Sequence, residues 1–195
     1  MSNQNNISKI KLSYYKGLVN EDELEMYKLK LSEIDIKLIE YDKSYIPMAC
    51  LEDFTNQVSL MISSPIVQTI TSGIITNTSY DLLKGTIIWM WNSLSGKKLT
   101  RVTSNGSCES KEVTFGFSVS INKEMNLDFR LSGNVSEEDK SKCIDKAFEI
   151  LKERTRQISS NKLDFAKYDQ DKKQWILFNT NEEIRKSLEN QNVNC

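Results

Sequence analysis

The chain has 195 residues, of which 38% are hydrophobic and 27% charged, enough apolar material for a packed core and too much for a disordered chain. Its 26 basic and 27 acidic side chains leave a formal net charge of −1, a balance that gives no long-range pull toward nucleic acid or an anionic membrane. There is no histidine, which excludes Ser-His-Asp triads, Cys-His pairs and every histidine-ligated metal site.

Ile10, Leu12 and Tyr14 alternate with polar residues, the period of a half-buried strand over about 9–15. Tyr27, Leu29 and Leu31, then Ile34, Ile36 and Leu38, alternate in the same way. With Ser32 and Glu33 as the loop they read as a β-hairpin over 26–39 with six apolar side chains on one face. Leu51, Phe54, Val58 and Met61 recur at helical spacing and predict a helix over about 50–62. Pro65 suits a first helical turn, and Ile66, Ile70 and Ile74 predict a helix over 65–78. Ser79 reads as the N-cap of the next helix, 80–95, whose stripe is Tyr80, Leu83, Ile87, Met90 and Leu94 and whose end is Gly96.

Residues 99–111 are polar and read as a surface loop, the place where an internal boundary in an otherwise single domain would fall. Val113, Phe115, Phe117, Val119 and Ile121 alternate, as do Met125, Leu127, Phe129 and Leu131. A turn at Asn122–Glu124 sets Val119 opposite Leu127 and Phe117 opposite Phe129, giving a hairpin over 112–131. Ser136-Glu137-Glu138-Asp139 opens a helix over 137–158 with Ile144, Phe148 and Leu151 on its apolar side. A third hairpin is expected over 163–178 and a short helix over 181–190. Hairpins and helices without a strand-helix-strand rhythm point to an α+β fold, antiparallel sheet covered by helices on one face.

Candidate chemistry is sparse. Cys50, Cys108, Cys143 and Cys195 form no C-x-x-C pair, and reduced thiols in a cytoplasmic protein are the simpler reading, with Cys50 and Cys143 as buried thiols. The polar start of the chain lacks the charged and apolar stretches of a signal peptide. Glu137, Glu138 and Asp139 are explained by a helix start, and Asp169-Gln170-Asp171 lacks the glycine and distal glutamate of a calcium loop. No glycine spacing matches a phosphate-binding loop. No cofactor and no metal ligand set is expected. Abundant asparagine, lysine and isoleucine suit an AT-rich bacterial genome.

The charge-free run between Asp53 and Asp81 is interrupted by Pro65 and many Ser and Thr residues, so a membrane span is not expected. The helix at 80–95 is apolar around most of its circumference. Leu82, Ile88 and Trp89 lie off the main stripe, and Trp89 and Trp91 project from nearly opposite sides. The expectation is therefore a non-enzymatic cytoplasmic binding protein that meets a protein partner or a second copy of itself through segment 56–95. Leu82, Ile88, Trp89 and Trp91 are the contact residues of that reading. Nucleic acid is not an expected partner. The alternatives are a membrane-active effector inserting the 56–95 helices at a membrane surface and a histidine-independent enzyme.

Overall fold

A computed structural model describes residues 8–44, 56–102, 108–120, 126–131, 135–156 and 165–179, with Gly106 and Arg185. In chain order the elements are β1 (Lys9–Tyr14), α1 (Glu21–Ser32), β2 (Lys37–Asp42), β3 (Val58–Ile62), α2 (Ser64–Ser72), α3 (Asn77–Leu94), β4 (Lys98–Val102), β5 (Cys108–Glu112), β6 (Phe115–Ser120), β7 (Asn126–Leu131), α4 (Glu137–Arg156), β8 (Phe165–Asp169) and β9 (Gln174–Phe178). Seven strands form one sheet in the order β2-β1-β3-β6-β7-β8-β9, and β4 pairs with β5 in a separate two-stranded sheet. The fold is α+β with a mixed sheet. The pairs β1–β2, β3–β6 and β7–β8 are parallel, so helices connect strands in three crossovers where only hairpins were expected.

The segment expected as a 26–39 hairpin is a helix followed by a strand. Asn20 accepts from the backbone N–H of Asp22 and Glu23 at 2.9 and 3.2 Å, and Glu21, Asp22 and Glu23 fill the first turn. Those caps select the helical period: Leu24 and Leu31 go to the core, while Leu29, which the alternating pattern counted as buried, is 65% exposed. Asp35, with φ 57, turns the chain so that Ile36 and Leu38 enter the sheet.

The helix expected over 50–62 is replaced, at 58–62, by strand β3; residues 50–55 lie outside the described residues. Val58, Leu60 and Ile62 alternate inward, and burial on the sheet decides in favour of period two. Gly73, at φ 75, ends α2 earlier than the expected residue 78. Thr76 rather than Ser79 caps α3, its hydroxyl accepting from the Ser79 N–H at 3.2 Å. The polar segment 99–111 supplies β4 and β5, with Lys98 opposite Glu112 in the register, an opposite-charge pair that favours the ladder. The pairing of β6 with β7 has the expected register, Phe117 against Phe129 and Val119 against Leu127, and β8 with β9 is antiparallel as expected. Ser136 caps α4 by accepting from the Asp139 N–H at 3.1 Å. The helix expected over 181–190 lies outside the described residues apart from Arg185.

One core lies between the sheet and the helices. Ile10, Leu12, Leu60, Phe117, Phe129, Ile87, Ile144 and Phe148 all belong to it at 1% exposure or less. Phe117 stacks on Phe129 with centroids 4.7 Å apart, and Phe148 of α4 meets Phe117 edge-on at 6.1 Å. All four helices contribute to this single cluster, so they share one side of the sheet.

Candidate functional site

The strands bury every second residue, and the residues between them share the opposite face. The registers join these outward positions into rows across the sheet. One row runs Tyr41, Ser13, Ser59, Gly116, Arg130, Lys167, Ile176. The next runs Ile39, Lys11, Met61, Ser118, Asp128, Phe165, Phe178. Lys37 and Lys9 are partners in a third.

Among the described residues no helix covers these rows. Of the seven large hydrophobic side chains left exposed among those residues, four lie here: Ile39 at 36%, Tyr41 at 44%, Met61 at 47% and Ile176 at 42%. Single exposed apolar residues are ordinary, so what distinguishes these four is that they share one face of the sheet, Ile39 and Tyr41 on β2, Met61 on β3 and Ile176 on β9. Phe165 is the exception in the rows, 4% exposed beneath the Arg130 guanidinium 5.2 Å from its ring centre and against Phe178 at 4.9 Å. Lys11 Nζ stands 4.7 Å from the Tyr41 ring centre. Gly116 makes room for Asn56, whose side-chain oxygen accepts from Arg130 Nε at 3.3 Å.

The charges of this face are uneven. Lys9, Lys11, Lys37, Arg130 and Lys167 project from it, with Asp128 and Asp169 as the acids of the same rows and turn. Asp128 accepts from the Ser118 hydroxyl. Asp169 accepts from the backbone N–H of Lys172 and Asp171, which hold its carboxyl below the usual carboxylate range. Among the described residues no carboxylate lies within 4.0 Å of the amino groups of Lys9, Lys11, Lys37 or Lys167.

In the helix layer, several charges are paired. Lys84 donates to both carboxylate oxygens of Asp145 at 2.7 Å, and the Tyr80 hydroxyl donates to the same group at 2.7 Å, clasping α3 to α4. Lys140, 4% exposed, donates to Asn92 and to Glu137 and lies over the Trp91 ring. Glu40 accepts from Lys28 at 2.8 Å and from Tyr14 at 3.1 Å; burial and that carboxylate push the Tyr14 hydroxyl up to about 12. Burial pushes the free Cys143 thiol up, which makes it a poor nucleophile. Among the described residues no group of His, Cys, Asp and Glu has metal-binding geometry. A cleft of about 290 Å³ lies beside the end of α3, walled by Trp91, Leu94, Phe115 and Leu131 with Glu112 and Arg130 as its charged lining groups.

The four residues nominated on α3 lie in the helix layer. Trp91 is 2% exposed and part of the core. Leu82, Ile88 and Trp89 are partly buried and packed against the core. The Trp89 ring stacks on Tyr27 of α1 at 4.3 Å, and its N–H donates to Glu23 at 2.9 Å. The apolar second side of α3 is thus met by α1 of the same chain. Trp89→Ala is expected to cost about 2 kcal/mol, since it removes a half-buried indole, a ring stack and a hydrogen bond. Urea unfolding with fluorescence of the remaining indoles measures this, and a midpoint equal to the wild type would contradict it. No described helix is long and apolar enough to cross a membrane.

Fold and face together define a class: a two-layer α+β protein whose sheet is clothed by helices on one side and, among the described residues, carries none on the other. No family model, curated protein or solved structure matches the chain.

Proposed function

We propose that this is a non-enzymatic binding protein that takes a macromolecular partner across the open face of its seven-stranded sheet. The observation that carries the reading is the exposure of Ile39, Tyr41, Met61 and Ile176, each at least 36% exposed, on the sheet face opposite the helices, among lysines that have no carboxylate beside them among the described residues. Hydration of so much apolar area is unfavourable, by roughly 25 cal/mol per Å², and a partner that covers it recovers that free energy. Segment 56–95 takes part through β3, which places Ser59 and Met61 near the middle of the face. Leu82, Ile88, Trp89 and Trp91 support the face from the helix layer, since their packing sets the sheet's inner side. A cytoplasmic setting accords with the free thiols at Cys108 and Cys143.

The test is a photocrosslinking amino acid placed at Met61 and, as a control, at Leu29, which is 65% exposed on α1. In cells making the protein, adducts of discrete size are expected from position 61 and not from position 29. Equal adducts from both positions, or none from position 61, would overturn the reading.

A further inference from the structure

The open-face reading leaves the chemistry of the partner unassigned, and the inference that follows rests on that reading. We infer that the occupant is a single-stranded nucleic acid, its phosphates held by the lysines of β1 and β2 and by Lys167 and Arg130, its bases laid over Tyr41, Ile39 and Met61.

Charge is the first argument. Lys9 and Lys37 are direct register partners, and like charges facing each other across a ladder destabilise it. Lys11 extends the pair along β1, and no carboxylate relieves any of the three among the described residues. The two acids of the face are engaged locally, Asp128 by Ser118 and Asp169 by backbone N–H groups. Among the described residues this face carries Lys9, Lys11, Lys37, Arg130 and Lys167 against Asp128 and Asp169, an excess of three positive charges that draws a polyanion. The same excess argues against a second copy, because apposed faces would bring lysine against lysine.

Direction is the second argument. The apolar and cationic groups alternate across the strands, as Ile39, Lys11 and Met61 do in one row, and not along a single edge strand. A peptide docking by β-augmentation pairs its backbone with a sheet edge, which leaves a row across inner strands unused. A nucleic acid strand needs no backbone pairing: it binds by phosphate contacts and by stacking on exposed side chains. Between Tyr41 and Arg130 the row holds Ser13, Ser59 and Gly116, with the Asn56 side chain over the glycine, across four strand spacings, or about 19 Å.

The experiment is fluorescence anisotropy of labelled oligouridylate and oligothymidylate, each about a dozen nucleotides long, with the full chain at about 50 and 200 mM salt. The expected result is binding that weakens steeply with salt, is reduced about tenfold or more in the Lys9→Glu, Lys37→Glu double variant, and is unchanged in Lys30→Glu on α1. Tyr41→Ala is expected to weaken binding severalfold with the salt slope retained. Circular dichroism reports whether each variant folds, and Lys167→Glu, from the far side of the face, serves if the double variant does not. Loss of oligonucleotide binding in neither open-face variant would overturn the inference, as would no binding at the lower salt. Polyglutamate and phosphatidylserine vesicles are run in parallel. Binding of either through the same lysines without the oligonucleotides would overturn the nucleic-acid assignment while leaving the open-face reading standing, which the crosslinks from position 61 decide separately.

Discussion

Phe129→Ala is expected to lose about 3–5 kcal/mol of folding stability, the range for removing a fully buried aromatic ring. The side chain is 0% exposed, stacks on Phe117 at 4.7 Å and receives the edge of Trp175 at 5.0 Å. Trp175 in turn donates from its indole N–H to the Cys143 carbonyl at 3.0 Å, so the ring lies where β6, β7, β9 and α4 converge. A domain of this size has a net stability of about 5–15 kcal/mol, so the variant is expected to be marginal at 37 °C. Chemical unfolding followed by far-ultraviolet circular dichroism measures the loss. A loss under about 1 kcal/mol would mean that the ring is not the keystone of the two layers. The outward neighbours on β7, Asp128 and Arg130, depend on this ring for their position, because the strand carries both faces.

That dependence explains what could be read from the chain alone. Phe115, Phe117 and Val119 alternate cleanly with small residues and offer no competing helical period, so the β6–β7 register was legible. The segment 26–31 was not, because Leu24, Tyr27 and Leu31 satisfy a helical spacing while Tyr27, Leu29 and Leu31 satisfy alternation. The cap at Asn20, which resolves the ambiguity, lies six residues before the stretch that showed it. Trp89 lies off the apolar stripe of α3, and an alternating reading of 26–31 places no helix beside it. Once α1 is a helix, Tyr27 is the surface against which Trp89 stacks.

Residues 58–62 posed the same ambiguity, since Val58 and Met61 fit a helix begun at Leu51, whereas Val58, Leu60 and Ile62 fit a strand. Burial between β1 and β6, partners far away in sequence, selects the strand. Parallel pairing was illegible for a related reason: nothing local distinguishes a strand that hairpins from one that receives its neighbour after a helical crossover. The open face is assembled from single outward residues of seven strands. Along the chain each is one polar or apolar position in an ordinary alternation. Only the registers bring Lys9 beside Lys37 and Lys11 beside both Ile39 and Met61.

Gly116→Ala is expected to be the most damaging change available within the face itself. A Cβ built at this position would stand 2.1 Å from the Phe129 carbonyl oxygen and 2.2 Å from the Asn56 side-chain amide. The amide can swing aside, but the carbonyl belongs to the neighbouring strand, so one methyl group must push β6 from β7. Overpacking of this kind costs about 1–3 kcal/mol and more where backbone has to move, so a loss of about 3 kcal/mol is expected. The change also displaces Asn56, whose side-chain oxygen accepts from Arg130 Nε in the same outward row. Asn56→Ala separates the two effects. It removes one hydrogen-bond partner of Arg130 without a backbone clash, so its stability is expected to stay within about 1 kcal/mol of the wild type. Thermal unfolding of the two variants side by side decides the matter. If Gly116→Ala melts no lower than Asn56→Ala, the close approach of β6 and β7 at this glycine does not constrain the sheet.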